Sequence, residues 1–448
     1  MSPLAVLPRP RARALVASAV IAAGALPAVL PATGGPLGTD AAAAATKGST
    51  QKKPKKPAKP KYTVEGELRK LRAAREIGAT DLRTWRTLYR DAKAKAAVLP
   101  KGTRRTELLE VLKNTDEIAG RRKLTASLAP SVFLTLQVNR DWWTGTAPTP
   151  APNSRPVVAG SPLTWQYYRG EGLQIQWLAT FGTANALATT NTPAKLETLR
   201  AIQDEAVRLA SDRAGGPSWE YLFDFGGGAP PWGSAMAQVT GMQSLVRTAG
   251  KLGQDSYRTT ALSAIGLLRR TAPTGARLKQ PGGDHLLLYT FTKMRVLNGF
   301  AQAVSGLHEI AAATGDTKVA ATYVRAERQL RAELPEYDLG TWARYSAGGK
   351  PETPSYHTLS RDLLRGLCRT LSADAVAFAA GQPVAGGLPP APAEPYCTMG
   401  ERFAQDLLLT PAGPKAGARA TTRSGSAPAP APVADPAATL GSPALTRP

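Results

Sequence analysis

Cysteine and histidine are nearly absent: the 448-residue chain has two of the first and three of the second. Histidines scattered at 285, 308 and 357 form no ligand constellation, and two cysteines cannot build a zinc site of the usual spacing. There is no phosphate-binding loop and no Gly-x-Gly-x-x-Gly after a strand, so no organic cofactor is expected, and the sequence names no ligands for a structural divalent cation. Acidic residues are also scarce, 33 against 56 Lys and Arg, giving a formal net charge of +23. That balance usually raises nucleic acid as a partner. The excess sits mainly before residue 131, however, and the N-terminus reads as an export leader, so no nucleic acid partner is expected. Beyond that leader no apolar run is long enough to span a bilayer.

What is present begins with Arg9, Arg11 and Arg13 ahead of an apolar run from Ala14 to Ala32, with small residues at Ala41–Ala45 for cleavage. Residues 1–45 are therefore expected to be a signal peptide. Pro27 and Pro31 interrupt the run and disfavour an uncleaved anchor, so no stable membrane insertion is expected after its removal. Residues 46–62, with "KKPKKPAKPK", form a Lys/Pro-rich linker suited to anionic surfaces or to simple solvation. From 63 to 145 the apolar spacing of Leu68, Leu71 and Ile77, then Leu82, Trp85 and Leu88, predicts a small helical bundle. "TGTAPTPAPNSRP" (Thr144 to Pro156) reads as a second linker.

Residues 157–410 carry eight helix candidates: Gly170–Ala188, Pro193–Arg213, Gly233–Lys251, Ser256–Thr271, Met294–Thr314, Thr317–Glu333, Ser355–Leu371 and Thr398–Leu409. "SWEYLFDF" and "HLLLYTF" are the best strand patterns. The fold class expected is mainly α: an (α/α) toroid of helical hairpins preceded by the N-terminal bundle. Residues 411–448 are Ala/Pro-rich and predict a disordered tail. Cys368 and Cys397 are expected to pair, as two cysteines of an exported chain. Closing that loop is worth roughly 3 kcal/mol.

Three stretches feed aromatic or polar loops directly into helices. They are "WGSAMAQVTGMQSLVR" (Trp232 to Arg247), "VLNGFAQAVSGLHE" (Val296 to Glu309), and "YDLGTWARYS" followed by "SYHTLSRDLL" (Tyr337 to Leu364). Together with "YYRGEGLQIQWLATFGTANA" (Tyr167 to Ala186), which is similar to an earlier helix of the family, they resemble the C-terminal domain of the D-glucuronyl C5-epimerase family, in the right order over roughly 160–410. The resemblance implies a toroid acting on uronic acid residues of a polysaccharide. It implies catalytic roles for Tyr289 before Leu-Asn-Gly-Phe, Tyr345 after Tyr-Asp-Leu-Gly, and Tyr356 in the Tyr-His pair. The sequence departs from the family at Leu288, where a glutamate is usual, at Ser360 in place of a second histidine, and at "SAGGKP", where an arginine and a histidine are usual.

The chemistry can be reasoned from the substrate. Inverting C5 of a uronate requires two acid/base groups on opposite faces of the sugar. It also requires cations or donors at the carboxylate, where negative charge builds as the proton leaves. A tyrosine base needs nearby positive charge to ionise near neutral pH. Arg295, Arg344, Arg361 and Lys293 lie near the tyrosines and are the candidate cations, the three arginines being the expected substrate contacts. His357, Gln238 and Trp232 are further expected substrate contacts. The expected partner is an anionic polysaccharide or cell-wall glycan. A uronate lyase, which shares the proton abstraction, and a catalytically degenerate glycan- or cell-wall-binding protein are the alternatives.

Overall fold

A computed structural model describes residues 62–387, 389–411 and 413. The expected signal peptide, Lys/Pro-rich linker and C-terminal tail lie outside these residues, apart from positions 62, 411 and 413. The protein is mainly helical. The first helix, α1 (Val64–Ala73), starts where the Thr63 hydroxyl accepts from the Gly66 N–H at 3.1 Å. The Asp81 carboxylate accepts from the Gly78 N–H at 2.9 Å and opens α2 (Ala79–Val98), which stops ahead of Pro100. α3 (Thr103–Gly120) and α4 (Ala129–Thr144) complete the N-terminal helices. Their apolar faces, with Leu68, Leu88, Val111 and Phe133, are buried in the same hydrophobic cluster as most of the described chain.

The stretch from Thr144 to Pro156 is not a free linker. The Arg104 guanidinium donates to the carbonyls of Trp142, Trp143, Gly145 and Ala147. Further on, the Asn153 N–H donates to Tyr167 O (2.8 Å) and the Tyr167 N–H to Ser154 O (3.0 Å). The segment is thereby laid beside an antiparallel hairpin, β1 (Trp165–Tyr168) and β2 (Gly172–Ile175). A helix from Gly170 was expected here; it starts only at Trp177, as α5 (Trp177–Leu187). The reason is tertiary. The Glu107 carboxylate of α3, 2% exposed, accepts from the Tyr167 hydroxyl (2.8 Å) and from the N–H groups of Gly170 (3.0 Å) and Gly172 (2.9 Å). Asn139 of α4 donates to Leu173 O and accepts from Leu173 N–H and Trp143 Nε1. Gly172 has φ +73°, and a Cβ there would stand 2.5 Å from Asn139 Oδ1, so only glycine fits this close approach.

Helical hairpins come next along the chain. α5 turns into α6 (Pro193–Leu209) through a short segment. After the small hairpin β3 (Ser211–Arg213) and β4 (Gly216–Ser218), α7 (Ala235–Leu252) turns through Gly253 and Gln254 into α8 (Asp255–Ser263) and the single turn α9 (Gly266–Arg269). β5 (Arg277–Gln280) pairs with β6 (Gly283–Leu286) ahead of α10 (Leu297–Thr314). Gly315, left-handed at φ +65°, ends α10, and Asp316 at once caps α11 (Thr317–Glu333) by accepting from the N–H groups of Lys318 and Val319. A long loop then leads to α12 (Pro354–Ala379) and α13 (Glu394–Leu409).

α7 packs between α5 and α10, and α10 packs against α11 and α12. The connections are short in one direction and long in the other: 210–234, 270–296 and 334–353 each precede α7, α10 or α12. "SWEYLFDF" gives only Ser218 to a strand, β4, and otherwise makes the bridges Tyr221–Trp232 and Phe225–Gly228, and "HLLLYTF" is strand only as far as Leu286. Its remaining residues instead hold the start of α7.

Cys368 of α12 and Cys397 of α13 form a disulfide, with Cα atoms 4.8 Å apart. Replacing both by serine should lower unfolding free energy by roughly 3 kcal/mol, because the bridge closes a long loop in the unfolded chain. Denaturant titration with and without reductant checks this: reductant should weaken the native protein and leave the double variant unchanged. The Glu107→Gln change puts an amide NH₂ among donors and should cost about 2–4 kcal/mol in the same titration.

Candidate active site

The long loops are stitched together by main-chain hydrogen bonds at the helix starts. Tyr221 and Trp232 exchange N–H···O bonds (2.8 and 3.1 Å). Ala235 N–H donates to Leu287 O (3.0 Å) and Thr290 N–H to Gly233 O (3.0 Å), which ties the start of α7 to the segment before α10. Leu297 N–H donates to Tyr345 O (3.1 Å) and Ala347 N–H to Arg295 O (3.0 Å), which ties the start of α10 to the loop before α12. At the start of α5, Gln176 accepts from the Tyr221 hydroxyl at 3.1 Å. The N-termini of α5, α7, α10 and α12 are thus served by one connected set of loops.

An aromatic belt runs through these loops. Tyr168 stacks on Phe223 (centroids 4.7 Å apart) and Tyr221 on Trp232 (4.3 Å). Trp232 meets Tyr289 at 5.8 Å, and Tyr289 stacks on Phe291 at 5.6 Å. Tyr289 is therefore one ring of a continuous wall that includes Tyr168 and Tyr221. The Gln176 amide orients both of those hydroxyls, donating to Tyr168 Oη at 3.0 Å while accepting from Tyr221. Arg155, from the supposed linker, donates through Nε to the buried Gln166 Oε1 at 3.2 Å. Sequence reasoning missed Arg155, Tyr168, Gln176 and Tyr221. The available signal was the Gln-x-Gln alternation of 174 and 176 behind two glycines, a hairpin leading into a helix.

Tyr345 and Tyr356 meet edge to face, with centroids 5.3 Å apart, both partly buried. They stand where the loop 334–353 enters α12. Beneath them His357 is fully buried and stacks on Trp342 at 3.9 Å. Its Nδ1 accepts from the Ala343 N–H and its Nε2 faces the Phe403 carbonyl, each at 3.1 Å. His357 therefore supports the loop. Ser360, where the family has a histidine, donates to the buried Glu352 carboxyl at 2.7 Å.

Other expected contacts are also engaged elsewhere. Gln238 donates to the carbonyls of Pro217 (2.8 Å) and Ala264 (2.9 Å) and fixes backbone. Trp232 is 1% exposed and donates to Phe223 O, so it positions Tyr221 and Tyr289 from below. Arg295 pairs with Glu333 (3.2 Å) and Glu336 (2.5 Å), and Arg361 with its neighbour Asp362 (2.8 Å). Arg344 donates to Gly349 O at 2.9 Å and has no carboxylate partner among the described residues. Asn298, at the start of α10, is fully buried, with neither end of its amide paired among the described residues. An orphaned buried amide commonly marks a bound water or ligand group. Among the described residues no group of three His, Cys, Asp or Glu side chains is arranged to hold a metal ion, and no helix is long and apolar enough to cross a membrane.

Burial pushes the Glu352 carboxyl up to about 8. Burial pulls His357 down to about 4. A carboxyl that is neutral when folded but ionises when unfolded makes stability fall as pH rises, here from about 4.5 to about 8. His357 acts oppositely, since its neutral folded form favours folding above its ordinary value of 6.5 and that contribution is lost as pH falls through 4. Glu352→Gln should therefore gain stability relative to the native protein as pH rises through the Glu352 window, which unfolding titrations at several pH values will read.

No curated protein matches the chain. Among solved structures, a sugar epimerase from a ruminal bacterium aligns with 13% identity and a TM-score of 0.35, over 52% of this chain and 59% of that one. This chain thus spans less than two thirds of that epimerase. An endo-β-1,4-glucanase from Acetobacter xylinum aligns with 12% identity and a TM-score of 0.32, over 56% of this chain and 93% of that one. An endoglucanase from Komagataeibacter sucrofermentans aligns with 14% identity and a TM-score of 0.32, over 57% and 93%. Residues 216–379, which hold the starts of α7, α10 and α12 and the tyrosines 289, 345 and 356, match the family described as D-glucuronyl C5-epimerase C-terminus.

Proposed function

We propose that the protein is exported and inverts C5 of a hexuronic acid residue within an anionic polysaccharide. The observation that carries this reading is the Tyr345–Tyr356 pair at the mouth of α12, main-chain-linked to the start of α10. The match to an epimerase family over the same stretch supports it. The disulfide supports export, since such bonds persist in oxidising compartments.

In this reading one tyrosine, as phenolate, takes the C5 proton. The electron pair left behind delocalises onto the carboxylate, and a second tyrosine hydroxyl returns a proton to the opposite face. One proton leaves and one arrives, so neither oxidant nor reductant is required. The Tyr345–Tyr356 pair and Tyr289 supply the hydroxyls. Positive helix N-termini and arginines stabilise the charge that builds on the carboxylate. Arg344 is the nearest expected cation in sequence that carries no carboxylate among the described residues.

The experiment is incubation with a D-glucuronate-containing polysaccharide in D₂O. Deuterium at C5 of unbroken chains is the expected result. Unsaturated uronate absorbance would identify a lyase instead, and binding without exchange a glycan-binding protein. Tyr356→Phe should reduce exchange by about 10²–10⁴-fold while leaving the melting temperature in place. A loss below about tenfold would assign Tyr356 to packing.

A further inference from the structure

We propose that Arg155, with Tyr168 and Tyr221, forms an anion subsite that binds the uronate carboxylate, a function supplied by the region before the epimerase-family stretch. The proposal rests on the C5-epimerase reading and names the group that recognises its substrate class.

Four observations carry it. Arg155 is partly buried and has no carboxylate partner among the described residues. Its position is built: Nε is held by Gln166 Oε1, and Gln166, 1% exposed, lies opposite Gln174 in the hairpin that Glu107 anchors. Holding Nε leaves the two terminal NH₂ groups for a planar, two-oxygen acceptor, the geometry a carboxylate offers. Tyr168 stands two residues along β1 from Gln166, on the same side of the strand, and one amide, Gln176, orients the Tyr168 and Tyr221 hydroxyls together. Finally, the belt leads from these two rings through Trp232 to Tyr289, so the cation and an expected catalytic tyrosine share one wall.

Burial pulls the guanidinium below its ordinary value. Among the other arginines near the helix starts, Arg344 also lacks a carboxylate partner among the described residues, but its Nη1 is taken by the Gly349 carbonyl. Arg295 and Arg361 are neutralised by carboxylates.

The test compares binding of a D-glucuronate oligosaccharide with that of its carboxyl-reduced counterpart by calorimetry, with C5 deuterium exchange followed in parallel. The native protein should prefer the glucuronate probe. Arg155→Gln should weaken that probe by about 10- to 100-fold and leave the reduced probe unchanged. A variant that keeps the native preference overturns the subsite, as does a native protein that binds both probes equally. Exchange that occurs while the preference survives Arg155→Gln sinks the subsite and leaves the epimerase reading standing. An Arg155-dependent preference without any exchange sinks the epimerase reading and leaves the subsite. If Arg155→Gln does not fold, arginine-selective dicarbonyl labelling of the native protein decides. Protection of Arg155 by the glucuronate probe alone supports the subsite, and equal labelling with both probes overturns it.

Discussion

The buried carboxylate of Glu107 holds the site's first wall in place. A charge withdrawn from water is tolerated only where donors replace the lost hydration. The donors Glu107 receives come from one hairpin, its strands and its turn: the Tyr167 hydroxyl and the N–H groups of Gly170 and Gly172. None belongs to its own helix, so α3 and the hairpin must form together. The consequence reaches the chemistry. Tyr168 is the last residue of β1, and Gln176 follows β2 directly, so the same carboxylate sets where both stand. The N-terminal helices are thus part of the site's construction, and they share one hydrophobic cluster with the helical hairpins.

A second constraint is the asymmetry of the connections. A left-handed glycine followed by a capping residue turns α10 into α11 within two positions, which leaves no length for a loop that could meet a ligand. The return segments are long, and each is fastened to its neighbour by main-chain bonds. Such bonds do not depend on side-chain identity. Aromatic and charged side chains in these loops are therefore carried on a backbone whose spacing is already fixed.

Legibility in the sequence depends on range. Helix periodicity and caps are local, so α11 is legible at its observed limits, and the pairing of Cys368 with Cys397 comes from their number alone. α12 runs on to Ala379 because its Ala-rich end has no breaker before Gly381. The hairpin at 165–175 is hidden, because its cause is a carboxylate some 60 residues earlier in the chain, and Pro-rich composition disguises a segment pinned by Arg104. The motif tyrosines stand out, and Tyr345 and Tyr356 do meet. His357 cannot be sorted in the same way. Adjacent positions on a helix point to different faces, and only the packing of Trp342 and Phe403 reveals that this imidazole faces the interior.

The arginines show why proximity in sequence is a poor guide to electrostatic role. A guanidinium bonded to a carboxylate presents nearly zero net charge to anything beyond the pair. Arg295, between Glu333 and Glu336, clamps the loop before α10 to the end of α11. A guanidinium bonded only to neutral oxygens keeps its charge: Arg344 through the Gly349 carbonyl, and Arg155 through the Gln166 amide. An enzyme that must stabilise growing negative charge needs cations of this second kind, positioned by neutral acceptors so that the field survives. These two stand on separate loops, one before β1 and one before α12. In both places the field of the cation is spent on no carboxylate among the described residues.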